Sequence, residues 1–203
     1  MTNDFPEELY FSTTGRKILK SFIGRKIIRM FRYPLYEESE FPEYLNNLPN
    51  GVTNDQVFSL IEGSLLVEFD TGEEINFFAD EHMQSIAFSY ERNPNGEYMN
   101  VCKFYTPRDI CNDLYININD TTFSNDIMRD FLNKTIIDIR RYRYRIYPPS
   151  PYRIRDTIIL FSFDNSTKMA LGFNIEFNTV MSVLPWQLVA SDVKENISEV
   201  DLC

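Results

Sequence analysis

Carboxylates are abundant in this sequence, but histidine, the commonest general acid or base, is rare. His82 is the only histidine, and it lies in the polar run Asp80-Glu81-His82-Met83. A Ser-His-Asp or Cys-His mechanism would have to use it, but there is no Gly-x-Ser-x-Gly turn and no papain-like cysteine context. We expect His82 to be a surface histidine and the protein not to be an enzyme. An enzyme without a recognisable motif is the third interpretation, after the two binding functions below.

The cysteines and glycines do not form a cofactor site in the sequence. Cys102, Cys111 and Cys203, with one histidine, lack the number and spacing of ligands that zinc needs, and are typical of reduced thiols in a cytosol. Gly15-Arg16-Lys17 and Gly24-Arg25-Lys26 resemble the end of a phosphate-binding loop, but no glycine stands upstream at the required distance. We expect no metal, no other cofactor and no small-molecule substrate.

Arginine and tyrosine alternate in residues 140–147. In a strand, Arg141, Arg143 and Arg145 would lie on one face and the tyrosines on the other. One interpretation is a nucleic-acid-binding module that uses this strand. The other is a polar sheet face whose arginines pair with carboxylates while the tyrosines enter the core. We prefer the second, because alternation separates the arginines from the tyrosines and a net charge of −10 repels phosphate.

Acidic residues cluster in predicted loops, in one case with aromatic residues among them. Such clusters usually keep a protein soluble, but aromatic anchors ringed by polar groups are also typical of tight protein interfaces. We therefore expect a partner-binding surface. Its candidate residues are Tyr36, Glu37, Glu38, Glu40, Phe41, Glu43, Tyr44, Asp70, Glu73, Glu74, Asp80 and Glu81.

The composition is typical of a folded protein that stays in the cytoplasm. Of the 203 residues, 43% are hydrophobic, which suffices for a core, and the length suits a single domain over residues 1–203. The formal net charge of −10 favours a basic protein partner. Residues 1–8 are acidic and unlike a signal peptide, and no run of 18 apolar residues occurs, so we expect no membrane association.

The sequence resembles itself at a constant offset of 109 residues. Residues 21–33 read S-F-I-G-R-K-I-I-R-M-F-R-Y, and residues 130–142 read D-F-L-N-K-T-I-I-D-I-R-R-Y. Gly24 aligns with Asn133, and these two residue types most readily adopt the left-handed conformation that ends a helix. Each copy is therefore predicted to begin with a helix, a left-handed stop and a strand.

The predicted helices cover residues 13–23 and 125–132, the second with Ser124 as its N-cap. A second match aligns the Phe-Asp pairs at residues 69–70 and 163–164 with an offset of 94, and predicts a strand that ends in a tight turn. Further strands are predicted at residues 57–61, 74–79, 84–91, 98–105, 168–177 and 179–184.

Together these patterns predict an α+β fold, mainly antiparallel sheet with a few helices, built from two pseudo-repeats at about 13–91 and 124–186. The alternative is that short amphipathic elements look alike because packing uses few residue types. Two such units would bury their sheet faces by packing about a pseudo-twofold axis or by joining their sheets. Residues 34–56 and 106–123 are predicted loops, with or without short helical turns, and the polar tail 190–203 is predicted to fray.

The chain resembles the immunity proteins that neutralise bacterial polymorphic toxins of contact-dependent and type VI secretion systems. Those proteins are also small, acidic and α+β. Residues 63–72, G-S-L-L-V-E-F-D-T-G, are similar to the strand, Phe-Asp-x-Gly, strand hairpins of several such families. The resemblance implies a non-catalytic inhibitor that binds a cognate toxin made by the same cell and occludes its active site. The toxins are often basic, which suits an acidic inhibitor.

Overall fold

Two antiparallel sheets of five strands each dominate the protein, which confirms the predicted α+β fold. The computed structural model describes residues 13–80, 85–97, 114–144, 158–173 and 181–200. The helices in these ranges are α1 Thr13–Ser21, α2 Phe41–Asn46, α3 Val57–Leu60, α4 Asp126–Arg129 and α5 Ser191–Glu195. Short 3-10 turns lie at Asn54–Gln56 and Trp186–Leu188.

The first sheet contains β1 Ile27–Pro34, β2 Gly63–Phe69, β3 Glu74–Asp80, β4 Ser85–Arg92 and β5 Ile116–Asn117, in the order β4-β3-β2-β1-β5. The second contains β6 Ile136–Tyr144, β7 Ile158–Phe163, β8 Lys168–Phe173, β9 Met181–Pro185 and β10 Ile197–Val200. Read from β9, its order is β9-β8-β7-β6-β10, which is the order of the first sheet.

The two sheets share their strand register as well as their strand order. Ile27 pairs with Phe69 in the first sheet, and Ile136 pairs with Phe163 in the second, which are the positions that the two sequence matches align. Each pairing then shifts by one residue at the same point of β1 and of β6. A shared bulge does not follow from apolar patterning alone, so the structure contains two similar units, as the repeat predicts.

In each unit a helix-terminal phenylalanine packs on the end of the second strand. The ring of Phe22 stacks on that of Phe69 with centroids 4.5 Å apart, and Phe131 stacks on Phe163 at 5.5 Å. All four side chains are buried. The helix of each unit is therefore attached to its sheet by the same aromatic contact.

The left-handed residues after the two helices stand where the repeat predicts, although α1 ends at Ser21 and α4 at Arg129 rather than at residues 23 and 132. Gly24 has φ +90° and Asn133 has φ +61°, so both residues adopt the left-handed conformation after the helical turn. The N–H of Gly24 donates to the carbonyl of Ile136 (2.7 Å), and the N–H of Asn133 donates to the carbonyl of Ile27 (2.8 Å). Each bond is the symmetry image of the other, which defines a pseudo-twofold axis between the units.

The axis passes an antiparallel bridge between Lys26 and Thr135, so the two sheets are joined at one corner. They also pack face to face, as the edge-to-face contact of Phe77 with Phe161 shows (6.0 Å). Both arrangements considered from the sequence are thus present. Buried side chains of both sheets form one core between them.

A second apolar cluster covers the outer face of the second sheet. It joins residues of β7, β8 and β9 to the segment that runs from the 3-10 turn at Trp186–Leu188 through α5 and β10. Its buried members are Leu60, Ile158, Leu160, Ala170, Leu184, Val189, Val193 and Ile197. The six residues of β7 are therefore all buried.

Both units bury an arginine at the same position of their first strand. Arg32 is 0% exposed and Arg141 is 2% exposed, and the offset of 109 aligns them. Nη2 of Arg32 donates to the carbonyl of Ile61 and to that of Met181 (3.1 Å). Because Met181 belongs to the second sheet, this guanidinium connects the two layers.

Two local predictions were wrong. A strand was predicted over residues 57–61, but Val57–Leu60 form α3, because a short, fully buried apolar run does not distinguish a strand from a helix. The turn before it is closed by the N–H of Thr53, which donates to Oε1 of Gln56 (2.9 Å). The N-cap of α4 is Asn125 rather than Ser124, and its side chain accepts from the N–H of Met128.

The tail was also predicted wrongly, since residues 191–200 form α5 and β10 instead of fraying. β10 pairs with β6, where Glu199 lies opposite Tyr142. The predicted strand 98–105, His82 and the three cysteines lie outside the described residues.

The Phe-Asp turns of the two units share one geometry that requires a left-handed residue. Gly72 has φ +85° and Ser166 has φ +67°, and each donates its N–H to the phenylalanine three residues earlier (2.9 and 3.0 Å). A Cβ added to Gly72 would meet nothing within 4 Å. The unit with serine therefore carries a backbone strain that the unit with glycine does not.

We expect Ser166→Gly to raise the free energy of unfolding by about 0.5 kcal/mol, because glycine removes the left-handed strain but gains entropy in the unfolded chain. The matched substitution Gly72→Ala should lower it by about 1 kcal/mol, since no clash contributes there. Urea denaturation of both variants measures the difference. Changes of the same sign in both would contradict a common turn geometry.

Candidate functional site

The acidic residues around α2 are at the surface. Glu37, Glu38, Glu40 and Glu43 are all exposed, and among the described residues none of them has an ion-pair partner. Oε2 of Glu40 accepts the N–H of Glu37 (3.0 Å), which closes the turn that precedes α2. These four carboxylates therefore form an acidic surface on one short segment, as the sequence predicts.

The aromatic residues of the same segment differ in their exposure. Tyr36 and Tyr44 pack on each other with ring centroids 4.7 Å apart, and both are half-buried. Phe41 is buried and contacts Phe123 edge to face (5.5 Å). Phe41 thus attaches α2 to the core, while the two tyrosines present part of their surface beside the carboxylates.

A buried cation lies near this tyrosine pair. Burial lowers the pKa of Arg32 to about 9, which Tyr44 partly opposes. Burial raises the pKa of Tyr44 to about 12, helped by Tyr36 and Glu62 and opposed by Arg32. Burial and then the nearby carboxylates of Glu62 and Glu40 raise the pKa of Tyr36. Both phenols are therefore neutral hydrogen-bonding groups at neutral pH.

The second acidic cluster faces inward more than the sequence suggests. Asp70 is exposed, and its Oδ1 accepts the N–H of Lys26 (3.0 Å). Glu73 is 0% exposed and pairs with Arg25, and the buried Glu74 lies 3.5 Å from Arg92. Their carboxylates stabilise the hairpin and the sheet, and of this cluster only Asp70 is at the surface.

The third cluster cannot be placed, because the side chain of Asp80 and the whole of Glu81 lie outside the described residues.

Charge is strongly segregated along the chain. Residues 34–91 contain 13 of the 30 acidic residues and none of the 20 lysines and arginines, so this segment has a formal charge of −13. The rest of the chain has 17 acidic and 20 basic residues, a formal charge of +3. The net charge of −10 thus originates in residues 34–91, although Glu68, Glu73 and Glu74 pair with arginines outside this range.

A group of apolar residues that the sequence reasoning did not select lies beside this acidic segment. Phe31 and Tyr33 of β1 contact Tyr115 with ring centroids 5.6 and 6.3 Å apart. Tyr115 is 56% exposed, and Leu35, which follows β1, is 62% exposed. We call Phe31, Tyr33, Leu35 and Tyr115 the outer aromatic patch. Apolar residues at every second position from 31 to 35 were the signal that could have identified it.

The arginine and tyrosine strand does not present a row of free arginines in its described part, residues 140–144. Arg140 pairs with Asp138 (2.7 Å) and Glu199 (3.2 Å), and Arg141 points into the core. Tyr142 stacks on Trp186 with centroids 5.7 Å apart. These contacts weigh against the nucleic-acid alternative, but the predicted polar face is wrong for Arg141. Its guanidinium is buried, and the carboxylates pair instead with Arg140, which alternation places on the same face as Tyr142.

In the described part of the chain, no group of three His, Cys, Asp or Glu side chains could hold a metal ion. An open groove of about 630 Å³ lies between α1 and β10, and charges of both signs line it, on Lys20, Asp138, Arg140 and Glu199. Arg140 pairs with Asp138 and Glu199, and the four charges sum to zero, so the groove has no dominant sign that would select a ligand.

Comparison of the chain with protein-family models, with curated proteins and with solved structures found no match. The helices of the described ranges are all too short or too polar to cross a bilayer. The functional assignment therefore depends on the acidic segment and the outer aromatic patch.

The raised pKa of Tyr44 predicts how stability depends on pH. A folded-state pKa of about 12, above the ordinary value of 10, means that the folded protein holds this proton more tightly than the unfolded chain. The stabilisation that this tighter proton binding gives the folded protein is complete below pH 10 and is lost as the pH rises toward 12. We expect Tyr44→Phe to lose less unfolding free energy than the parent between pH 9 and pH 11, measured by urea denaturation. Equal losses would contradict a raised pKa.

Proposed function

We propose that this protein is a non-catalytic inhibitor that binds a basic protein toxin made by the same cell, as immunity proteins do. The proposal places it in the cytoplasm, where the toxin is made. Binding would occlude the active site of the toxin, so the inhibitor needs a stable, complementary surface and no reactive group of its own.

The observation that carries the proposal is the acidic segment with its exposed carboxylates. Residues 34–91 have a formal charge of −13, and Glu37, Glu38, Glu40 and Glu43 project from it without ion-pair partners among the described residues. A surface with one sign of charge attracts an oppositely charged protein and raises the association rate, in favourable cases to about 10⁸ M⁻¹ s⁻¹ at low salt.

Carboxylates at the rim of an interface set the association rate more than the affinity, so a tight inhibitor also needs apolar anchors. The half-buried rings of Tyr36 and Tyr44 lie beside the four carboxylates. Such amphipathic rings are enriched at protein interfaces because they combine a large apolar area with a hydrogen-bonding group. The segment around α2 thus contains both components of an inhibitory surface.

The proposal predicts that a tagged protein captures one near-stoichiometric basic protein from its native cytosol, through washes at moderate salt. Glu37→Gln/Glu38→Gln/Glu40→Gln should slow association with that protein about tenfold at low salt, because steering is lost, with a smaller effect at high salt. Surface plasmon resonance measures both rates.

A matched control removes three exposed carboxylates outside the acidic segment, as Asp130→Asn/Asp192→Asn/Glu195→Gln. This control changes the net charge by the same amount and should leave the association rate nearly unchanged. Equal slowing in both variants would mean that overall charge, rather than the α2 surface, attracts the partner. Capture of only nuclease-sensitive material would overturn the proposal in favour of the nucleic-acid alternative.

A further inference from the structure

The tripeptide Pro-Asn-Gly occurs twice in the sequence, at residues 49–51 and 94–96. Asparagine is chemically labile, and most of all before glycine, because glycine has no Cβ to obstruct attack of its nitrogen on the asparagine side chain. Asn50 and Asn95 are both exposed. Sequence and exposure therefore predict equal reactivity at the two sites, and only the backbone geometry distinguishes them.

In the second tripeptide the glycine nitrogen closes a turn. The N–H of Gly96 donates to the carbonyl of Asn93 (2.9 Å), and Gly96 has φ +80°, as in hairpin connections in which a turn is followed by a left-handed residue. The side chain of Asn93 also accepts the N–H groups of Asn95 (2.9 Å) and Glu97 (3.0 Å). The nitrogen that would attack Asn95 is therefore held in a hydrogen bond, inside a turn that a side chain fixes.

The first tripeptide is shifted by one position in its turn. The N–H of Val52 donates to the carbonyl of Pro49 (3.0 Å), so Asn50 and Gly51 are the two central residues. Gly51 has φ +88°, which is the geometry of a type II turn, in which the N–H of the third residue takes no part in the closing bond. Among the described residues, neither the N–H of Gly51 nor the side-chain amide of Asn50 has a hydrogen-bond partner.

We propose that Asn50 is a site of spontaneous deamidation and that the turn at Asn95 protects the second site. The nitrogen of Gly51 gives its proton to a base in the solvent and attacks Cγ of Asn50. The new N–Cγ bond closes a five-membered succinimide, and the side-chain nitrogen takes a proton from water and leaves as ammonia. A water molecule then adds to either carbonyl of the ring and breaks the C–N bond there, which gives aspartate or isoaspartate.

The product changes both the charge and the backbone of the acidic segment. A carboxylate at residue 50 takes the formal charge of residues 34–91 from −13 to −14. Isoaspartate also adds one carbon to the main chain between Leu48, which packs on the main core, and Val52, which packs on the second apolar cluster. The closing bond of the turn does not keep its geometry with that added atom. The reaction needs only the turn and water, so the inference does not rest on the proposed function.

The test follows both tripeptides in one sample of the full-length protein, kept in mildly alkaline buffer at physiological temperature. Residues 34–91 contain no lysine or arginine, so a Glu-specific protease is used, which releases residues 44–62 and 92–97 as separate peptides. Mass spectrometry measures the conversion. We expect Asn50 to convert about tenfold faster than Asn95, because a bonded amide must open before its nitrogen can attack. Amide exchange by NMR should likewise be faster at Gly51 than at Gly96.

Two variants and one condition test the role of the turns. Asn50→Gln keeps the amide but would require a six-membered ring, so conversion at residue 50 should stop while the protein stays folded. Asn93→Ala removes the side chain that fixes the second turn, and should raise the rate at Asn95 several-fold without changing that at Asn50. In the urea-unfolded chain the two rates should become nearly equal, since the tripeptides are identical.

Equal rates at the two sites of the folded parent would overturn the inference, as would conversion at both sites only after unfolding. A difference of the same size that persists in urea would also overturn it, because Val52 and Glu97, which follow the glycines, would then set the rates instead of the turns. Capture of a basic partner tests the proposed function separately, since the deamidation rates depend on no partner.

Discussion

The exchange of backbone hydrogen bonds at the pseudo-twofold axis is the constraint on which the rest of the structure depends. The N–H of Gly24 donates to the carbonyl of Ile136 in β6 (2.7 Å), and the N–H of Asn133 donates to that of Ile27 in β1 (2.8 Å). Both donor residues adopt the left-handed conformation, which aims their N–H groups at these carbonyls. That conformation ends each helix and turns the chain into β1 and β6 at the angle that lets the two sheets meet. The placement of Phe22 over Phe69, and of the inward-facing Arg32, follows from this corner.

Once the corner is formed, the two units have similar backbones but carry different residue types at their outer surfaces. The core positions of both sheets are occupied mostly by apolar residues, although their sizes differ between the units, as at Val67 and Phe161, since close packing of one sheet on the other selects for apolar character. The outer positions are under no such constraint. One unit has used them for an ion pair and a covering segment, and the other for aromatic rings that remain partly exposed. Divergence at equivalent outer positions therefore separates what the fold needs from what it does not need.

The internal repeat, and with it most of the fold, could be predicted because it depends on local signals: left-handed Gly24 and Asn133, the Phe-Asp turns, and alternation along the strands. What could not be predicted depends on contacts between segments distant in sequence. Residues 197–200 are too polar to indicate a strand until β6 offers its edge. Glu73 has the sequence context of a surface carboxylate, but Arg25, which precedes β1 and is distant in sequence, pairs with it. The exposure of the α2 carboxylates follows from the local sequence, whereas the contact of Phe31 with Tyr115 does not, because these residues are 84 apart in sequence and meet only when β5 joins β1.

The division between charge and apolar contact at the candidate interface has a physical reason. Carboxylates act over about 8 to 10 Å at physiological salt, so they can orient a basic partner before contact, but each exposed pair adds at most about 1 kcal/mol after contact. Aromatic rings act only in contact, where burial of one ring contributes a few kcal/mol. An inhibitor that must reach its toxin quickly and then hold it needs both, in adjacent places. Under the proposed function, the segment around α2 would supply both, because the half-buried rings of Tyr36 and Tyr44 lie beside its exposed carboxylates.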